Sequence, residues 1–251
     1  MATEGRLKGK VALVTGGSRG IGKEISIALA SDGAAVVVNY AGNDSAATET
    51  VGLITSTGAK AIAVKGDISK SADVIAAFDK AVQTFGAVNI VVHVAGIGLD
   101  NYPSIVDTTE AEWDRIFATN AKGTFLVTKE AAKRLGPGGR IITTSSSLTG
   151  FIRPGYGAYT ATKAAVEVLT KTLAKELKGK RITVNCIAPG PVATEMFFQG
   201  KTQQVIDMMA KEPPLERLGE PKDIAAVIQF LASGESEWVN GQVIRINGGT
   251  V

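Results

Sequence analysis

Cysteine and histidine are almost missing from this chain: one of each, Cys186 and His93, among 251 residues. A lone cysteine excludes an intramolecular disulfide, and one Cys with one His leaves no zinc site, so no metal is expected. Long apolar runs are missing too. The longest, such as Ala34 to Val38 and Asn89 to Ala95, are strand-sized, so no membrane partner is expected. The N-terminus Met-Ala-Thr-Glu-Gly-Arg-Leu-Lys has no apolar signal-peptide core, which predicts a cytoplasmic protein. Charge of one sign is also scarce: 27 basic and 24 acidic residues leave a net +3, scattered along the chain, which argues against nucleic acid as a partner. With no Pro/Gly/Ser-rich linker, charge block or repeat, residues 1–251 read as one domain.

What is present is alternation. Short β-branched runs at 10–15, 34–40, 61–66, 89–94, 139–145, 181–187 and 242–246 read as strands. Amphipathic stretches at 20–31, 45–57, 71–84, 110–134, 157–178, 197–210 and 221–232 read as helices. Alternating strand and helix predicts an α/β fold, a three-layer doubly wound (Rossmann) parallel sheet of about seven strands with helices on both faces. The long unassigned stretches 95–109, 146–156 and 188–196 each follow a strand, so they gather at the carboxyl edge, where open α/β sheets bind ligands.

The first strand runs into Thr15-Gly16-Gly17-Ser18-Arg19-Gly20-Ile21-Gly22 and then into a helix. Strand, glycine-rich turn and helix together predict a dinucleotide site: Gly16 allows the tight turn, Gly20 the approach of backbone to pyrophosphate, and Gly22 close helix–strand packing. An NAD site usually ends its second strand in a carboxylate for the ribose 2′-hydroxyl; here that strand ends in Asn39 and Tyr40. A 2′-phosphate meets no repulsion there, and Arg19 in the turn can pair with it, so the expected cofactor is NADPH/NADP+.

Tyr159 and Lys163 stand four residues apart on one predicted helix, which brings phenol and ammonium to the same face. A fixed positive charge lowers a phenol toward neutral pH, so the pair can serve as an acid or base. Small apolar neighbours, Ala161, Ala164, Ala165 and Val168, predict a desolvated lysine. His93, at the end of a buried strand, reads as a hydrogen-bonded core residue and receives no role.

In these elements the chain resembles the short-chain dehydrogenase/reductase family in its single-domain form, over essentially its whole length. The Thr15 to Gly22 turn and the Tyr159–Lys163 pair match that family's motifs, and its opening and closing segments look most like plant and fungal NADPH-dependent aldehyde and ketone reductases and 3-oxoacyl-carrier-protein reductases. The resemblance implies a catalytic Asn120, an adenine contact at Asp67 and a Pro189-Gly190 turn after the sixth strand, with Thr194 beyond it. It also implies a serine about thirteen positions before the tyrosine, which selects Ser146, although counting from Gly150 selects Ser147. Strand alternation puts Ser145 and Ser147 on one face and Ser146 on the other.

The expected catalytic set is therefore Ser146, Tyr159, Lys163 and Asn120. The expected cofactor set is Gly16, Ser18, Arg19, Gly20, Ile21, Gly22, Asn39, Tyr40, Asp67, Ile68, Ala95, Gly96, Tyr159, Lys163, Pro189, Gly190, Val192 and Thr194. One departure stands out: the family's Asn-Asn-Ala-Gly is His93-Val94-Ala95-Gly96 here, so backbone that the usual asparagine would bond must be satisfied otherwise.

The implied reaction is reversible reduction of an aldehyde or ketone, with a 3-oxoacyl thioester as an alternative substrate and a non-catalytic NADP(H)-binding sensor or scaffold as an alternative of another class. Substrate loops are expected at 97–108, 148–156 and 190–212, carrying Ile97, Leu99, Tyr102, Phe151, Ile152, Tyr156, Val192, Met196, Phe197 and Phe198. These suit a small hydrophobic carbonyl or alcohol, or else they cover the core or a subunit interface. Arg153, Lys201 and Lys211 are too sparse to make a basic entrance for a carrier protein. The family resemblance implies a homotetramer or homodimer.

Overall fold

The computed structural model describes residues 5–251; part of the N-terminal segment behind the signal-peptide reading lies outside the described residues. Seven strands, β1 (Val11–Thr15), β2 (Ala35–Tyr40), β3 (Ala61–Lys65), β4 (Ile90–His93), β5 (Arg140–Thr144), β6 (Thr183–Pro189) and β7 (Val243–Ile246), form one sheet. Their order is β3-β2-β1-β4-β5-β6-β7, and every pairing is parallel.

Side chains of successive strand residues point to opposite faces, so the Val/Ile-rich strands feed two cores. Val36, Val38, Val92 and Ile142 meet Ile25 and Leu29 of α1 (Gly20–Ser31) and Ile224 and Ile228 of α10 (Pro221–Ala232). Val37, Val91 and Ile141 meet Val74 and Phe78 of α3 (Ser71–Phe85) on the other face. Winding reverses between β1 and β4, so the chain leaves their carboxyl ends in opposite directions and a crevice opens beyond Thr15 and His93.

Three stretches differ from the periodic reading. The helix expected over 110–134 is α4 (Glu110–Ile116), a π-helical segment (Phe117–Lys122) and α5 (Gly123–Arg134). One extra residue per turn leaves the apolar pattern intact, so periodicity does not reveal it. The helix expected over 197–210 is two: α8 (Glu195–Phe198) stops before Gly200, whose φ is +71°, and α9 (Gln203–Lys211) restarts under a Thr202 cap. A short α6 (Leu148–Phe151) occupies part of the stretch read as loop, and β6 runs on through Pro189, which needs no N–H at a strand end. The remaining helices are α2 (Asp44–Thr55) and α7 (Gly157–Glu176). No helix among the described residues is long and apolar enough to cross a membrane, and no cluster of His, Cys, Asp and Glu is placed to hold a metal ion.

Candidate active site

A cleft of about 1060 Å³ runs along the carboxyl edge of the sheet. One end is the turn between β1 and α1. Gly16 has φ +68°, and a Cβ on Gly22 would lie 2.0 Å from the Gly16 carbonyl oxygen, so the turn closes this tightly only with glycine at both places. The free N–H groups at the start of α1 then face the cleft, a cradle for a pyrophosphate. Ser18, Arg19, Gly20 and Ile21 line it, and across from them lie Asn39, Tyr40, Asp67 and Ile68.

The second strand ends without a carboxylate toward the cleft. Asn39 is buried and spends its amide on the Val64 and Gly66 carbonyls. Tyr40 donates to Asp44 at 2.8 Å, but Asp44 does not line the cleft and is paired with Lys65. Arg19 is mostly exposed, 3.7 Å from Glu195, and free to swing onto a phosphate. Asp67 accepts from the Ser69 N–H and hydroxyl, which hold its carboxyl below the usual range against the opposing pull of burial.

The middle of the cleft is walled by Val94, Ala95 and Gly96. The Val94 N–H donates to the Thr15 carbonyl at 3.2 Å and the Ala95 N–H to the Thr15 hydroxyl at 3.4 Å, so these backbone donors find partners without an asparagine side chain. Below, His93 is fully buried between the Thr15 and Thr124 hydroxyls at 2.7 and 3.0 Å. Thr124 gives its own proton to the Asn120 carbonyl, so it must accept from His93 Nε2–H, and His93 Nδ1 accepts from Thr15. Burial, with Lys163 nearby, pushes the imidazole down to about 3, and the ring stays neutral.

Tyr159, Lys163 and Ser146 meet on the far wall. Lys163 is buried, and its ammonium donates to the Thr144 carbonyl at 2.9 Å; desolvation brings it down to about 8. Its Nζ lies 5.5 Å from the Tyr159 ring centre. The expected lowering of the phenol by Lys163 is not seen. Burial instead pushes Tyr159 up to about 12, and what opposes burial is the neighbouring Ser146 hydroxyl. The reason is aim: the ammonium points at backbone, not at the phenol oxygen.

Asn120 sits within the π-helical segment, buried, and does not itself line the cleft. Its Oδ1 accepts from the Ile97 N–H and its Nδ2 donates to the Ile97 carbonyl, both at 2.9 Å, with Thr162 as a further partner. Its side chain thus pins the loop that follows Gly96.

At the other end, Pro189, Gly190, Val192 and Thr194 form the rim, and Ile97, Leu99, Tyr102, Phe151, Tyr156, Met196 and Phe197 line the substrate portion. Ile152 and Phe198, expected among them, face away from the cleft and are exposed. Arg115, Thr119 and Met209 line it as well, and sequence reasoning passed over them. Thr119 immediately precedes Asn120, the one signal that could have found it.

A parallel sheet opening at its switch point onto a glycine turn, with a phenol and a buried ammonium on the opposite wall, is the build of a dinucleotide-dependent oxidoreductase. Comparison with known proteins narrows the class. Residues 16–251 match a family model described as enoyl-(acyl carrier protein) reductase. The chain is 51% identical over 253 residues to a short-chain type dehydrogenase/reductase of Picea abies, covering 98% of this chain and 93% of that protein. It is 49% identical over 257 residues to an NADPH-dependent aldehyde reductase-like protein, chloroplastic, of Arabidopsis thaliana, covering 98% and 95%. A solved short chain dehydrogenase from Burkholderia cenocepacia J2315 in complex with NADP superposes with a TM-score of 0.91 at 34% identity, covering 98% of this chain and 99% of that one. The chain belongs to the short-chain dehydrogenase/reductase family.

Proposed function

We propose that this protein is an NADP(H)-dependent oxidoreductase that reduces the carbonyl of a small, largely apolar aldehyde or ketone to an alcohol, reversibly. The observation that carries the reading is the meeting of Ser146 and Tyr159 on one wall of the cleft, with the Lys163 ammonium buried behind them. The glycine cradle, the absence of a carboxylate at the end of β2 and the exposed, weakly paired Arg19 fit NADP(H), and the names of the Arabidopsis relative and the Burkholderia complex point the same way.

When bound, the cofactor supplies hydride to the substrate carbon. The chain supplies the rest. Ser146 and Tyr159 donate hydrogen bonds to the carbonyl oxygen as negative charge builds there. Tyr159, protonated at any physiological pH, then yields its proton to that oxygen. Lys163, near its own titration point at about 8 and bonded to the Thr144 carbonyl, would hold the cofactor ribose beside Tyr159. Asn120 keeps the 96–98 loop against the cleft.

Purified protein incubated with NADPH and a panel of aldehydes, ketones, quinones and 3-oxoacyl thioesters tests the reading through loss of the cofactor's near-ultraviolet absorbance. Oxidation of NADPH by a small carbonyl is expected. If NADPH binds tightly and no carbonyl is reduced, the protein is a nucleotide-binding sensor or scaffold instead. A homotetramer or homodimer belongs to the same proposal: Trp113, Phe125 and Val168 are exposed on α4, α5 and α7, and Trp238 stands fully exposed near β7. Light scattering reads the assembly state.

A further inference from the structure

At the substrate end of the cleft one cation is framed by aromatic rings. Lys201 donates to the Phe197 carbonyl at 2.7 Å and to the Tyr102 hydroxyl, and its ammonium lies 4.7 and 4.9 Å from the centres of the Tyr102 and Phe197 rings. The Tyr102 ring packs on Tyr156 with centres 4.8 Å apart. Tyr156 is three residues before Tyr159 and faces the same cleft. All four groups line the cavity wall.

Counting donors and acceptors shows what is left over. Tyr156 is kept protonated by burial, with the Tyr102 hydroxyl beside it. The Tyr102 oxygen accepts from Lys201, and its own O–H has no acceptor among the described residues. Lys201 has three protons and two acceptors in the structure, so one remains as well.

Among the described residues no carboxylate lies within ion-pair distance of Lys201. Asp100 lines the cleft two residues before Tyr102 without pairing with it, and Glu212 is engaged by Arg153 at 2.7 Å. An unneutralised cation and a spare phenolic donor, framed by aromatic rings, make a site for an oxygen acceptor carried on a flat ring.

We propose that Lys201 and Tyr102 form a distal subsite that selects aromatic aldehydes and ketones carrying a second acceptor oxygen, anionic or carbonyl, remote from the reacting carbonyl. The proposal rests on the carbonyl-reductase reading and names its substrate class. In this arrangement the reacting carbonyl meets Ser146 and Tyr159, the ring lies against Tyr156 and Phe197, and the second oxygen receives the Lys201 and Tyr102 protons. Lys201 and Tyr102 are specificity residues and touch no reacting atom.

The test compares kcat/KM for para-carboxybenzaldehyde, methyl para-formylbenzoate and para-ethylbenzaldehyde in wild type, Lys201→Met, Lys201→Gln and Tyr102→Phe. Ring electronics differ among the three aldehydes but are the same in every variant, so the readout is how the substrate ratios change on substitution. The ratio of carboxylate to ethyl substrate is expected to fall about tenfold or more in Lys201→Met, as befits loss of a charge-assisted hydrogen bond. Lys201→Gln keeps the ester-to-ethyl ratio and loses the carboxylate advantage; Tyr102→Phe lowers both ratios. Ratios that stay at wild-type values in Lys201→Met and Tyr102→Phe overturn the subsite while turnover of the ethyl compound leaves the carbonyl-reductase reading standing. Failure of wild type to reduce any of the three, or any carbonyl in the wider panel, overturns both.

Discussion

The Ser145 hydroxyl stands 2.8 Å from the Glu167 carboxylate, and Glu167 is one helical turn beyond Lys163 on α7. The same carboxylate accepts from Thr149 at 2.6 Å. On the other side, Ser147 donates to the Ala188 carbonyl at 2.8 Å and accepts from Asn247 at 2.9 Å. Two of three consecutive serines are thus committed to holding the loop, and Ser146 between them is left for Tyr159. Ser146→Ala is expected to lower kcat by about a hundredfold or more, the scale of a lost oxyanion donor, with little change in Tm. Ser147→Ala is expected to keep most turnover while losing roughly 1 kcal/mol of stability. Equal kinetic damage from both, measured by steady-state kinetics beside thermal melts, would move the role away from Ser146.

Lys163 is a buried cation that the fold accommodates at a cost. Desolvation takes its pKa from 10.5 down to about 8, so the unfolded chain binds the extra proton between those values and stability rises with pH across that window. Below pH 8 the folded protein carries the full burial penalty. Lys163→Met is therefore expected to abolish turnover yet stabilise the protein at pH 7, by roughly 1–3 kcal/mol after the lost bond to the Thr144 carbonyl is counted. The advantage should shrink as pH rises from 8 to 10.5. Denaturant melts of wild type and variant across that range check both the sign and the window.

Alternation of β-branched and amphipathic runs places all seven strands within two residues of their ends, because a strand buried on both faces has no other way to look. The glycine turn is equally legible, since Gly16 and Gly22 are dictated by a clash that any Cβ would create. What periodicity misses are features without a hydrophobic signature. The π-helical turn around Asn120 adds one residue without disturbing the apolar stripe. The Lys163–Tyr159 spacing says that the two share a face but not where the ammonium aims, and it aims at Thr144. Likewise Lys201 and Tyr102 lie 99 residues apart and meet only because β4 and β6 deliver their loops to one edge.

Arg19 and Glu195 face each other across the cleft mouth at 3.7 Å, one from the glycine turn and one from the start of α8. Both side chains are largely exposed, so the pair is weak and yields readily to a 2′-phosphate. Arg19→Ala is expected to raise KM for NADPH about tenfold while leaving KM for NADH nearly unchanged, since only the phosphate ester loses a charge-assisted partner. Glu195→Gln, which frees the guanidinium, is expected to lower KM for NADPH modestly. A wild-type protein that prefers NADH, or an Arg19→Ala variant with an unaltered NADPH to NADH ratio, would remove Arg19 from cofactor choice.

His93 contributes to the acid dependence of the fold. Burial, with Lys163 nearby, moves the imidazole from 6.5 down to about 3, so the folded protein keeps it neutral while the unfolded chain protonates it. Between those values the unfolded state holds one more proton, and stability falls on acidification by roughly 1.4 kcal/mol per pH unit from this residue alone. His93→Gln, which can still donate to Thr124 and accept from Thr15, is expected to flatten the stability profile between pH 6 and 4 by about one proton. As the chain has a single histidine, its imidazole nitrogen resonances are unambiguous in a long-range proton–nitrogen spectrum. They are expected to show the Nε2–H tautomer and no titration from pH 8 down to 5, because the Thr15 and Thr124 hydroxyls fix the two ring nitrogens as acceptor and donor. A midpoint near 6.5 in the folded protein would mean that the ring is reached by water and that the Thr15–His93–Thr124 chain does not hold in solution.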